Sequence, residues 1–298
     1  METMDHSEPE REPFARGALE VGLAGDGDLR WAVVDLSAIV EAARGRLDLS
    51  PVAATALGRT LAGAALMMRL AIKTPSRLLV ELVGDGPLGS VLAEVDDLGR
   101  LRGSVANPRA VVAHREDGKL AVGAAVGKGR LRVLRELPNG RYHSQVQLVS
   151  GEVGEDLAHY LEQSEQTRSA VMVGVLARPA GITAAGGMIV EVLPGASKVV
   201  VDTLEDNLSR LAGFSRLIER EGLDGAVSRV LAGLEPRIHS RHDLTYTCRC
   251  SRQRVERQLE ALVRAGEPLT SEDGDIVVDC SFCGERYRFL PEELQPAN

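Results

Sequence analysis

SPVAATALGRTLAGAALMMRLAIK, residues 50–73, is the stretch that sets the fold class. Ser50 reads as a helix N-cap and Pro51 as the first helical residue, where a missing N–H costs nothing; good helix formers follow. The most apolar part, Leu61–Met68, is bracketed by Arg59 and Arg69, and no window reaches 18 consecutive apolar residues, so the segment reads as a buried core helix rather than a membrane span. Short β-type runs come after it, at Arg77–Val83, Leu101–Ala106, Leu120–Val126, Arg130–Glu136 and Gln145–Val149. Turn signals such as GDGP (Gly84–Pro87) and PNG (Pro138–Gly140) separate them. A second helix candidate, Glu155–Gln166, leads to strand candidates Ser169–Ala177 and Met188–Leu193. Many strands broken by few helices predict an α+β domain over 13–197, with a mainly antiparallel sheet and packed helices.

The character changes after Pro194. Leu204, Leu208, Leu211 and Ile218 fall on one helical stripe, then Leu223, Val227, Val230, Leu231 and Leu234 on another, with Gly222, Gly225 and Pro236 as punctuation. Short amphipathic helices need a partner surface. Residues 198–243 are therefore expected to form a helical connector lying against something apolar. In 244–298, Ser251 caps a helix carrying Val255, Leu259, Leu262 and Val263, and a hairpin fits Ile276–Asp279 with Arg286–Leu290. A unit this small buries little core and needs a staple. There is no internal repeat.

The 298 residues are 44% hydrophobic and 26% charged, the balance of a globular chain with a real core. A net charge of -8 offers no general attraction for phosphate backbones or anionic lipid, so neither nucleic acid nor membrane is an expected partner. The start, Met1–Glu12, is acidic where a secretory signal would be basic and then apolar, which points to the cytoplasm. All four cysteines lie within 248–283. Such clustering in a reducing compartment indicates metal ligation or redox chemistry rather than scattered bridges.

Cys248-Arg-Cys250 and Cys280-Ser-Phe-Cys283 are a CxC and a CxxC pair separated by a helix-sized insert. Four thiolates from two close pairs can meet at the corners of a tetrahedron, which suits one Zn2+ per chain; iron has the same taste for sulfur and stays open. Such an ion can simply staple the tail. The CxC spacing is unusual for a ribbon, however, and zinc-bound thiolates remain open to oxidants, so each pair can become its own disulfide. Structural zinc contributes on the order of 10–16 kcal/mol in small peptides, so oxidation is expected to unfold the tail. His239 and His242 precede the cluster, but four cysteines already satisfy a tetrahedral ion.

These motifs resemble the bacterial redox-regulated heat-shock chaperones of about thirty-three kilodaltons, ATP-independent holdases. The resemblance rests on Cys248-Arg-Cys250-Ser-Arg-Gln-Arg254, on Cys280-Ser-Phe-Cys283-Gly284 followed by Tyr287 and Phe289, and on GDGP, YLEQSEQ (Tyr160–Gln166) and GGMIVEVLP (Gly186–Pro194). It covers the chain from about Phe14 onward; Gln253, where the family more often has an acidic residue, is a small departure. The resemblance implies no enzymatic activity, a reduced and zinc-bound inactive form, and activation by pairing Cys280 with Cys283 and Cys248 with Cys250. It further implies unfolding of tail and connector, capture of unfolding client proteins, and a homodimer when oxidised.

Two other readings compete. A four-cysteine ribbon could bind nucleic acid, but from Cys248 to Asn298 seven arginines face ten acidic residues. A thiol-disulfide oxidoreductase would place its CxxC at the start of a helix in a βαβ setting, whereas Gly284 and a strand candidate follow Cys283. No Walker loop, dinucleotide fingerprint or catalytic triad is found.

Overall fold

The computed structural model describes residues 12–71, 75–269 and 274–294. The acidic Met1–Arg11 and the end of the quoted helix stretch, Ile72–Lys73, lie outside those residues.

Strands β1 (Ala15–Ala24) and β2 (Leu29–Asp35) come first, then helices α1 (Ser37–Leu47) and α2 (Pro51–Leu70). Next are β3 (Arg77–Gly84), β4 (Ser90–Asp96), β5 (Arg100–Val105), α3 (Val122–Val126), β6 (Gly129–Leu137), β7 (Gly140–Gln147) and α4 (Gly154–Glu165). The chain continues through β8 (Ser169–Arg178), β9 (Gly181–Val192), α5 (Lys198–Ser209), α6 (Phe214–Val230) and β10 (Arg237–Tyr246). It closes with α7 (Arg252–Arg264) and the hairpin β11 (Ile276–Asp279) and β12 (Arg286–Phe289).

Ten strands make one sheet in the order β7, β6, β3, β4, β5, β10, β1, β2, β9, β8. Every neighbouring pair is antiparallel except β10 and β5, which run parallel across Thr245↔Arg100 and Tyr246↔Leu101. The sheet is thus two five-stranded halves joined by a short parallel seam. Helix α2 lies across one face, touching β4 and β5 of one half and β2, β8 and β9 of the other. Ser50 caps it by accepting from the Ala53 N–H, as the sequence predicts. By length and composition α2 could cross a membrane, but 89% of its most apolar window is buried against the sheet.

On the second face the connector covers one half of the sheet. Leu29, Trp31 and Val33 of β2, with Ala184, Met188 and Val190 of β9, meet Leu204 of α5 and Phe214, Ile218, Ala226, Val227 and Val230 of α6. Alternate residues of the same strands, Ala32, Val34, Ala185 and Ile189, face α1 and α2. The connector therefore does lie on an apolar surface, and each fully buried large side chain in it contributes about 1.5–3 kcal/mol before ordering costs. Helix α6 bends at Gly222, whose φ of 67° and ψ of -164° interrupt the helix.

Three expectations need correction. Leu120–Val126 is not a strand: Val122–Val126 is a short helix, and its buried Val122, Ala125 and Val126 recur at helical spacing under α2. Residues 237–243, expected to end the helical connector, begin strand β10, which pairs with β1 and then β5. Its outer positions are polar, so the apolar alternation of a strand shows only at Leu244 and Tyr246. The expected strand Gln145–Val149 is instead β7, Gly140–Gln147, an exposed edge strand whose polar alternation hides its period. Strands β1, β2 and β4 went unpredicted.

Candidate metal centre

Strand β10 delivers its last residue, Tyr246, into the core, and Cys248 and Cys250 follow at once. Cys280 leaves β11, and Cys283 precedes β12 in a tight turn: the N–H groups of Cys283 and Gly284 donate to the Cys280 carbonyl (3.3 and 2.8 Å), and the Cys280 N–H to the Glu285 carbonyl (2.9 Å). Gly284 has a φ of 69°, and a Cβ there would stand 2.0 Å from the Arg46 carbonyl oxygen, so both conformation and proximity demand glycine. Between the pairs, Ser251 caps α7 by accepting from the Arg254 N–H. Val255, Leu259, Ile276, Tyr287, Phe289 and Leu294 form a six-residue core. That is little apolar material for an independent fold.

The turns bring all four predicted residues together: the Sγ atoms of Cys248, Cys250, Cys280 and Cys283 lie within 4.8 Å of one another. Cys248 and Cys280 are 3.7 Å apart, Cys250 and Cys283 3.3 Å. A tetrahedral ion with bonds of about 2.3 Å needs sulfurs roughly 3.8 Å apart, so the donor set fits. Tyr287 donates its hydroxyl proton to the Cys250 sulfur (3.1 Å). Such an outer donor orients a ligand thiolate. Cys280 is held far below the usual thiol value by the hydrogen bonds it accepts from Cys248 and Cys283. The donors are driven the other way, Cys248 to about 11, chiefly by its bond to Cys280. One negative charge thus opposes the ionisation of its neighbours, whereas a divalent cation at the centre favours four thiolates together. His239 and His242 lie on β10, outside the cluster; burial and then Arg69 lower the His242 pKa, and its Nε2 meets Ser240 Oγ at 3.0 Å.

Residues that sequence reasoning passed over fasten this module to the sheet. Arg46, at the end of α1, donates to the Cys283 carbonyl (3.0 Å) while its guanidinium stacks on Phe14, whose edge meets Tyr246. The Tyr246 hydroxyl donates to the Phe282 carbonyl, and Arg102 of β5 stacks on the Phe282 ring. Arg249, between the first two cysteines, reaches the Asp96 carboxylate (2.5 Å), whose side chain is 3% exposed. The one sequence signal was the pair Glu94 and Asp96, two carboxylates on one face of an apolar strand. Arg249→Met is expected to leave metal content unchanged while amide exchange across 280–289 speeds up roughly tenfold, as the module loses about 1.4 kcal/mol of docking. Unchanged exchange would show that the ion pair does not secure the module.

Known proteins resemble this chain along most of its length. The family model described as Hsp33 protein matches residues 18–290. The 33 kDa chaperonin of Thermus thermophilus is 47% identical over 94% of this chain and 86% of its own length. That of Desulforamulus reducens is 40% identical over 92% and 94%. A crystal structure of the 33 kDa chaperonin (heat shock protein 33 homolog) from Thermotoga maritima superposes with a TM-score of 0.82 at 32% identity, covering 93% of this chain and 96% of the other. With a four-cysteine cluster at the end of an α+β fold and matches along nearly its full length, this chain belongs to the Hsp33 protein family and is a chaperone.

Proposed function

We propose that the chain is an ATP-independent holdase without enzymatic activity, held inactive while reduced with zinc on Cys248, Cys250, Cys280 and Cys283, and activated by oxidants. The units are the core (13–197), the connector (198–243, with its last residues in the sheet) and the redox-sensing tail (244–298). Bound zinc supplies a charge that keeps four sulfurs ionised at close quarters. A peroxide takes two electrons from two of these thiolates, which join as a disulfide while the O–O bond breaks and its oxygens, taking up two protons from solvent, leave as two water molecules. Oxidation of all four consumes two peroxides and leaves no ligand set for the ion. Cys280 pairs with Cys283 and Cys248 with Cys250: chain connectivity keeps these partners close as the tail loosens, whereas cross pairs need both segments held together.

The single observation that carries this reading is the apolar sheet face covered by α5 and α6, with the connector tethered through β10 to the cysteines. Tyr246 is the transmission point: wholly buried, it ties the end of β10 to Phe282. When the tail unfolds that tie goes, and the end of β10, joined to β5 across two residue pairs, loosens in the strand that follows the connector directly in the chain. The uncovered face and the apolar stripes of α5 and α6 then hold unfolding clients, and two activated chains associate through the same surfaces. Among the described residues, the buried Trp31 N–H has no hydrogen-bond partner under the connector.

Trp31 is also the only tryptophan in the chain and is fully buried in that interface. Titration with hypochlorous acid, or with peroxide under mildly unfolding conditions, is expected to release one zinc per chain, red-shift Trp31 emission and suppress scattering from an aggregating client, all with the same midpoint. Zinc release with Trp31 still buried and scattering unchanged would reduce the metal to a staple.

A further inference from the structure

A groove of about 510 Å³ opens where the connector meets the core. Its floor is apolar, made by Ala158 of α4, by Val192, the last residue of β9, and by Val201, Leu204 and Leu208 of α5. Its rim carries Glu155 and Glu162 from α4 and Glu205 from α5, against Arg168 and His159. The groove runs onto Ser169 and Ala170, the first residues of β8, the terminal strand of the sheet. Among the described residues, one edge of β8 therefore has no strand partner.

We propose that this groove binds a short extended peptide of alternating basic and aliphatic residues, and that its occupancy holds the connector down. Three features select this occupant. The free edge of β8 suits a ligand in extended conformation, whose main chain can hydrogen-bond to it. The floor accepts aliphatic side chains, and the volume is within the range of ligand pockets and suits a few residues. Three carboxylates facing one arginine and one histidine favour lysine or arginine at the rim.

The regulatory sign follows from the walls. Core elements supply one side and α5 the other, so the site exists only while α5 is packed. A ligand that binds the packed form alone lowers the population of the unpacked form by the factor 1 + [L]/Kd. By reciprocity, release of the connector expels the ligand. The effect on activation rests on the function proposed above, because it requires the connector to leave; binding to the reduced protein does not.

The test uses the full-length, reduced, zinc-loaded chain and a labelled pentapeptide of alternating lysine and valine, with glutamate replacing lysine in a control. The expected results are saturable binding of the lysine peptide alone and amide exchange across 198–209 slowed roughly tenfold at ten times Kd. Glu205→Lys and Glu162→Lys each weaken binding at least tenfold without altering metal content. Binding that survives both changes, or that leaves exchange of 198–209 untouched, overturns the proposal, as does equal binding of the control. If exchange slows as expected but oxidation never exposes Trp31, the groove stands and the oxidant-switch reading falls.

Discussion

Cys280→Ser is expected to strip the reduced protein of its metal at concentrations where the parent stays loaded. The affinity loss should exceed about a hundredfold, because disturbing outer-shell partners alone costs up to that much and a serine hydroxyl is a poor, hard ligand. The consequence reaches beyond the site. With six buried side chains as its core, the module depends on the cluster to stay folded. The variant should therefore lose protease resistance across 248–294 under full reduction, and Trp31 should be partly exposed without oxidant. Chelator titration, limited proteolysis and emission spectra check the three links separately. Full metal content with an intact tail would remove Cys280 from the ligand set.

Val230→Asp is expected to produce the opposite dissociation, an intact metal centre with the connector released. Val230 is wholly buried between α6 and the sheet, close to where Asn207 of α5 donates to the Val230 and Ala232 carbonyls. Val230 packs within an apolar cluster that includes Trp31, Met188, Phe214 and Ile218. Burying the aspartate charge unpaired would cost several kcal/mol, and the connector avoids the cost by leaving. The reduced, zinc-loaded variant should show red-shifted Trp31 emission and suppress client aggregation, whereas Val230→Ala, at about 1–2.5 kcal/mol, should only lower the oxidant needed. A variant with solvent-exposed Trp31 and no holdase activity would show that this face is not the one clients bind.

What could be read from the chain divides along the range of the interactions. Ser50, Pro51 and Ser251 announce helix starts because capping is decided within three or four residues, and both caps are present. Strands with one buried face, such as β3 with Leu78, Val80 and Leu82, are legible by alternation. Polar β10 was not: it is a strand because β1 and β5 supply its hydrogen bonds, and its neighbours are some 220 and 140 residues away in the chain. Val122–Val126 shows the complementary failure, where a short apolar run fits either period and packing under α2 chooses the helix.

The sequence by itself determined the chemistry: four thiols in two close pairs, in a unit too small to fold without a staple, and an amphipathic segment that had to cover something. Spacing and composition suffice there, because ligand identity and helical stripes are local properties. Only the tertiary structure decided what is covered and how the parts are coupled. It set the connector on β2 and β9 over Trp31, routed the cysteines through the middle of the sheet on β10, and paired Arg249 with buried Asp96. Those partners lie far apart along the chain, and such contacts follow from the global arrangement of strands rather than from any pattern within a segment.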